Sequence, residues 1–146
     1  MESRADGLYV RCFGNFEVFY NGEIVHFGRN KSKELFAYLV DRKGASATNS
    51  EIRAALWGDR ASDDDNQKRY FSQIVFSLRE TLKNLGEEDV LIQHRDSYAV
   101  MADHIKCDYY LAEEYDLKAL SVFEGEYMSQ YEWAEERIGY IGQKYI

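Results

Sequence analysis

The sequence predicts an α+β fold: an N-terminal antiparallel β-meander, three helices, a β-hairpin, and short helices after it. Three observations carry that prediction. Gly14-Asn15 and Asn21-Gly22 divide an aromatic stretch of alternating polarity. A helical apolar period then runs from about residue 31 to 85, punctuated by Gly44, Gly58 and Gly86. After Gly86, two short apolar runs flank a polar tip, His94-Arg95-Asp96-Ser97.

The first strands are expected at Leu8–Phe13, Phe16–Tyr20 and Glu23–Phe27, with Phe16, Val18 and Tyr20 on one face and Glu17 and Phe19 on the other. Asn-Gly suits a type I′ turn because both residues tolerate positive φ, and Gly-Asn suits the related II′ turn. From Lys31 to Arg42, Leu35, Phe36, Leu39 and Val40 recur at helical spacing, and Gly44 ends the run. Thr48-x-x-Glu51 has the form of a capping box and opens a second helix, with Ile52, Ala55 and Leu56 as its buried stripe. The third helix is expected from a cap at Asp65 or Asn66 to Leu85. Its core face is Phe71, Ile74, Val75, Leu78, Leu82 and Leu85, at spacings of three and four. The hairpin strands are Val90–Ile92 and Tyr98–Met101. Beyond Ala102 the chain reads as helical in pieces, with Tyr127, Tyr131, Ala134, Ile138, Ile141 and Tyr145 on one face.

Composition bounds the function. At 146 residues the chain suits one domain with an appended helical piece. Its 45% apolar and 15% aromatic shares suffice for a packed core. No apolar run approaches the roughly 20 residues that span a bilayer, and the N-terminus lacks a signal-peptide stretch, so a cytoplasmic protein without a membrane partner is expected. Two cysteines, Cys12 and Cys107, are too few for a disulfide framework. With 18 basic and 26 acidic side chains the net charge is −8 and the pI about 4.9, which at first argues against a polyanion partner.

Helix, helix, long helix and hairpin in that order is the order of a winged helix-turn-helix, in which the third helix enters a DNA major groove and the hairpin is the wing. The residues VRCFGNFEVFYNG (10–22), KSKELFAYLVDRKG (31–44), SEIRAALWGD (50–59), FSLRETL (76–82) and SYAV (97–100) resemble the OmpR/PhoB-type winged helix, particularly its version in SARP-type regulators and related response regulators. The resemblance covers residues 8–101. GEYMSQYEWAEERIGYI (125–141) resembles the start of the helical domain that follows in SARP-type proteins, so 102–146 is expected as a Tyr-rich, acidic extension. The resemblance implies the output module of a two-component response regulator. Because only seven residues precede Leu8, a cut-down module or a stand-alone relative is expected.

The groove-facing side of the third helix is expected to carry Lys68, Arg69, Ser72, Gln73, Phe76, Ser77 and Glu80. Lys68 and Arg69 suit phosphates or guanine, and Gln73 suits adenine. Arg79 lies toward the flank, suited to a phosphate or an internal acid. Phe76 either contacts a thymine methyl or packs on a neighbouring element through a rotation of the helix. Arg29, Lys31 and Lys33, at the entry of the first helix, suit phosphate neutralisation. His94 and Arg95 at the wing tip suit a narrow minor groove, although Asp96 beside them opposes phosphate. For each set, a solvated face is the alternative. The acidic loop 58–66, with Asp59, Asp63, Asp64 and Asp65, corresponds by resemblance to a segment that contacts RNA polymerase, and a merely solvated loop is again the alternative.

No catalytic or cofactor motif is expected. His26, His94 and His104 lack metal-ligand spacing, and His104-x-x-Cys107 has no second half. The expected function is therefore sequence-specific binding of double-stranded DNA, with two copies on repeated half-sites. The alternative is an interaction or dimerisation module that uses the Tyr-rich C-terminal helices. The charge divides in favour of DNA: residues 66–85 hold four basic residues and one acid, whereas 101–146 carry a net −6.

Overall fold

The computed structural model describes residues 7–114 and 123–145. The chain forms two compact units by contact, His26–Ala102 and a second unit built from the segments on either side of it. These units cut the chain differently from an 8–101 and 102–146 division.

In the discontinuous unit, β1 (Leu8–Arg11), β2 (Glu17–Tyr20) and β3 (Glu23–Ile24) form the expected antiparallel meander. Asn21 and Gly22 both hold positive φ, 50° and 85°, as a type I′ turn requires. The Gly14-Asn15 link is not a two-residue turn, because Arg11 pairs with Glu17 and residues 12–16 leave the ladder. Their backbone groups are engaged elsewhere. Cys12 and Phe13 donate their N–H groups to the Asp108 carboxylate at 2.7 and 3.0 Å, and Gly14 donates to Glu126 O at 2.9 Å. The amide of Gln130 meets both the N–H and the C=O of Phe16.

A fourth strand, β7 (Lys106–Cys107), lies parallel to β1, giving the order β3-β2-β1-β7. The segment after Ala102 is thus not only helical. Tyr127 forms a β-bridge with Phe13 and is fully buried in extended chain, which corrects its placement on a helical face. Helices α4 (Asp108–Glu113) and α5 (Glu135–Tyr145) complete the unit. Ala134 and Ile141 are buried as expected, while residue 145 lies outside the described side chains.

The continuous unit holds α1 (Asn30–Asp41), α2 (Asn49–Trp57) and α3 (Asp65–Asn84). Their stripes meet in one core of Leu35, Phe36, Leu39, Ile52, Ile74 and Leu78, all at 0% exposure. Each such burial contributes about 1.5–3 kcal/mol, so truncating Ile74 to Ala would remove about 2–5 kcal/mol. Ser32, buried on α1, donates its hydroxyl to Ile74 O on α3 at 2.9 Å. Thr48 and Glu51 form the expected capping box. Hydrogen bonds from the backbone N–H of Thr48, and then from its side chain, lower the pKa of the Glu51 carboxyl from its ordinary value. The cap of α3 is Asp64, one residue earlier than expected, accepting from Asn66 N at 2.7 Å.

The hairpin is β5 (Leu91–His94) and β6 (Ser97–Val100), closed by the two-residue turn Arg95-Asp96. It gains a third strand that the sequence did not signal: β4 (Ala47–Thr48), between α1 and α2, pairs with β6. Asn49 N also donates to Asp96 O at 2.9 Å, which ties the start of α2 to the hairpin turn. Among the described residues, no helix is long and apolar enough to cross a membrane.

Candidate nucleic-acid interface

The amphipathic period of α3 buries Phe71, Ile74, Val75, Leu78 and Leu82. The same period leaves Lys68, Arg69, Ser72, Gln73, Phe76 and Glu80 exposed on the opposite side, with Ser77 half-buried at its edge. Phe76 is 65% exposed, so it does not pack on a neighbouring element and the expected helix face is the observed one.

Arg29 joins this face from the entry of α1. Its guanidinium lies over the Tyr70 ring at 5.8 Å, and it borders a shallow hollow with Arg69, Gln73 and Phe76. Arg69 is steadied by a 3.1 Å bond from Nη1 to Asn66 Oδ1, one turn back on the same helix. Gly28 sits against this face too: a Cβ there would meet Ser77 Oγ at 3.2 Å, so the chain enters α1 close to α3.

A second hollow lies at the start of α2, lined by Asn49, Ser50, Lys68 and Ser72, with Asp96 at its margin. Helix N-terminal N–H groups and a lysine suit a phosphate there, and Asp96 opposes one. The Ser72 hydroxyl donates to Lys68 O at 3.2 Å, one turn back along α3.

Two of the expected residues, Lys31 and Arg79, are engaged within the fold. The Lys31 ammonium bonds Glu34 at 3.0 Å and the Leu56 carbonyl, and lies over Trp57 at 5.8 Å. Its charge is directed into the helix pair rather than outward. The internal partner of Arg79 is an amide and not an acid: its Nη2 donates to Gln93 Oε1 on β5 at 2.7 Å. Arg79 also lies near Tyr98, whose hydroxyl pKa is raised by burial and drawn back by that positive charge. Lys33 is half-buried on α1. His94 and Arg95 are exposed at the hairpin end.

In the acidic loop, Asp63 accepts from the buried Arg53 guanidinium at 3.4 Å, and Asp64 caps α3. Asp65 stands in the first turn of α3, where the helix dipole favours a carboxylate. Asp59 is exposed in a short 3₁₀ turn, Gly58–Arg60. Two contributors to the region were not foreseen, Gln93 and Tyr70. Each acts through a pairing between elements, and neither belongs to a motif.

Charge separates by unit. Residues 26–102 carry twelve basic and twelve acidic side chains, so the whole net −8 belongs to the discontinuous unit. The surface that carries α3 and the hairpin is therefore part of an electrically neutral body with a locally basic helix.

No family model matches the chain, and no curated protein matches it. Among solved structures it is similar to Mycobacterium tuberculosis EmbR in complex with a low affinity phosphopeptide, at a TM-score of 0.72 and 19% identity. That match covers 93% of this chain and 42% of EmbR, so the chain spans less than half the length of its structural neighbour. The likeness is one of fold, a mixed α+β arrangement of five helices and two sheets among the described residues.

Proposed function

We propose that this chain contains the sequence-specific DNA-binding module of a transcriptional regulator of the OmpR/PhoB and SARP type, spanning residues 8–101 with 102–146 as its extension. Helix α3 enters the major groove and the β5–β6 hairpin acts as the wing. The carrying observation is the exposed face of α3, on which Lys68, Arg69, Ser72 and Gln73 stand together opposite a fully packed stripe. The mixed α+β fold shared with EmbR is compatible with this reading. Arg29, Lys68 and Arg95 meet phosphates, and Arg69 and Gln73 reach base edges. Two copies occupy repeated half-sites about one helical turn apart. The loop 58–66 is the segment offered to RNA polymerase, with Asp59 the acid least committed to shaping the helix ends.

Selection of bound sequences from a random DNA pool, followed by titration of the winner across salt, tests the proposal. The three phosphates assigned to Arg29, Lys68 and Arg95 would lower affinity roughly 40-fold between 50 and 200 mM salt. Enrichment of no sequence, or an affinity flat with salt, overturns it.

A second reading rests on the 65% exposure of Phe76 and on the acidity of the discontinuous unit: a winged helix that docks a protein instead of DNA. Failure to select any DNA sequence, together with self-association of the full chain in sedimentation that the F76A variant loses, would favour that reading.

A further inference from the structure

Phe76 and Gln73 lie three residues apart on the exposed face of α3, so they share one side of the helix, separated by a rise of about 4.5 Å. Neighbouring base pairs are stacked about 3.4 Å apart, so two such side chains reach the same or adjacent pairs. Both border the shallow hollow that Arg29 and Arg69 flank, and this gives an apolar ring and a bidentate amide a basic rim. Glu80 closes the hollow one turn beyond Phe76. A carboxylate there disfavours phosphate and tolerates only a base-edge donor such as cytosine N4.

An exposed phenylalanine is an expensive residue to hold against water, and the major groove offers one apolar base feature, the thymine C5-methyl group. Glutamine pairs with adenine N6 and N7 there. Resting on the DNA-binding function proposed above, we infer that Gln73 and Phe76 together read A·T pairs in the target. Gln73 bonds an adenine, and Phe76 covers a thymine methyl on the same or the next pair. The target half-site thus contains a thymine recognised by its methyl group and not only by its hydrogen bonds.

Deoxyuridine tests this directly, since it keeps every hydrogen-bonding group of thymine and lacks the methyl. The full chain is used to select a site from a random pool, and each thymine of that site is replaced singly by deoxyuridine. One replacement is expected to weaken the wild type about fourfold, the worth of one buried methyl. The F76A variant, altered only at an exposed position, is expected to bind the thymine and deoxyuridine sites equally. The Q73A variant is expected to lose about tenfold of its discrimination at the adjoining adenine. A selected site at which no deoxyuridine replacement changes affinity overturns the inference and leaves DNA binding standing. So does an F76A variant that keeps the full thymine preference. Failure to select any sequence overturns both.

Discussion

Arg79 on α3 donates to Gln93 on β5 at 2.7 Å, a hydrogen bond that fastens the long helix to the hairpin. It is a charge-assisted bond between residues 14 positions apart on different elements, and it fixes the hairpin's position beside the exposed face of α3. Solvent weakens it, because Gln93 is exposed. A double-mutant cycle of R79A and Q93A, read by denaturant unfolding, is expected to give a coupling of about 1 kcal/mol. Additive effects would show that the bond does not hold the two elements together.

Lys31 and Arg29 are expected to behave differently toward DNA although they are two residues apart. The Lys31 ammonium is held by Glu34 and the Leu56 carbonyl, whereas Arg29 borders the exposed face of α3. The slope of log affinity against log salt should fall by about 0.9 for R29A and stay unchanged for K31A, measured well below either variant's melting temperature. A reduced slope for K31A would show that its charge turns outward on binding.

Asp108 makes a prediction about pH. Its carboxylate accepts backbone N–H groups of Cys12, Phe13 and Tyr109, yet burial raises its pKa above the ordinary 3.8. A raised acid pKa means that the folded state holds the proton more tightly than the unfolded chain. This group's contribution is therefore greatest below 3.8 and declines as pH rises through the shifted value. The unfolding free energy of the wild type minus that of D108N should fall as pH rises from below 3.8 through the shifted value, and a rise would reverse the sign. D108A leaves three buried donors unsatisfied and is expected to lose about 3 kcal/mol or more.

Arg53 and Asp63 form an unequal pair. The guanidinium is buried and donates to Ser62 O at 2.6 Å, while the Asp63 side chain is 88% exposed and lies 3.4 Å away. The carbonyl contact carries most of the bond. R53A is expected to cost about 2 kcal/mol, and D63A to stay within about 0.5 kcal/mol. Equal losses in chemical denaturation would assign the stabilisation to the ion pair instead.

What the sequence made legible was local. The three helices of the continuous unit followed from apolar period, the Thr48–Glu51 box and the closing glycines, and the Asn21-Gly22 turn followed from two residue types that tolerate positive φ. The outward face of α3 was legible for the same reason, since period alone sets which side of a helix is exposed. What escaped was pairing at a distance. Ala47-Thr48 and Lys106-Cys107 are two-residue strands with no alternation to read. Asp108 meets Cys12 across 96 positions, and nothing near Gly14 announces that its loop is held from so far along the chain. Lys31 was legible as a cation and not as an occupied one, because its partners Glu34 and Leu56 belong to two different helices.

The parallel pairing of β1 with β7 makes the continuous unit an insertion within another. During synthesis, Leu8–Arg11 must wait until Lys106 and Asp108 have been made before its sheet and its loop can close. The intervening residues can meanwhile fold as a body of their own. Closing so long a span costs chain entropy that local contacts do not repay, so the discontinuous unit is expected to be the slower to form. A chain cut at Met101, the end of the proposed DNA-binding module, would bare one edge of β1 and strand the N–H groups of Cys12 and Phe13. The smallest piece that folds with its first strands intact therefore extends well past the hairpin.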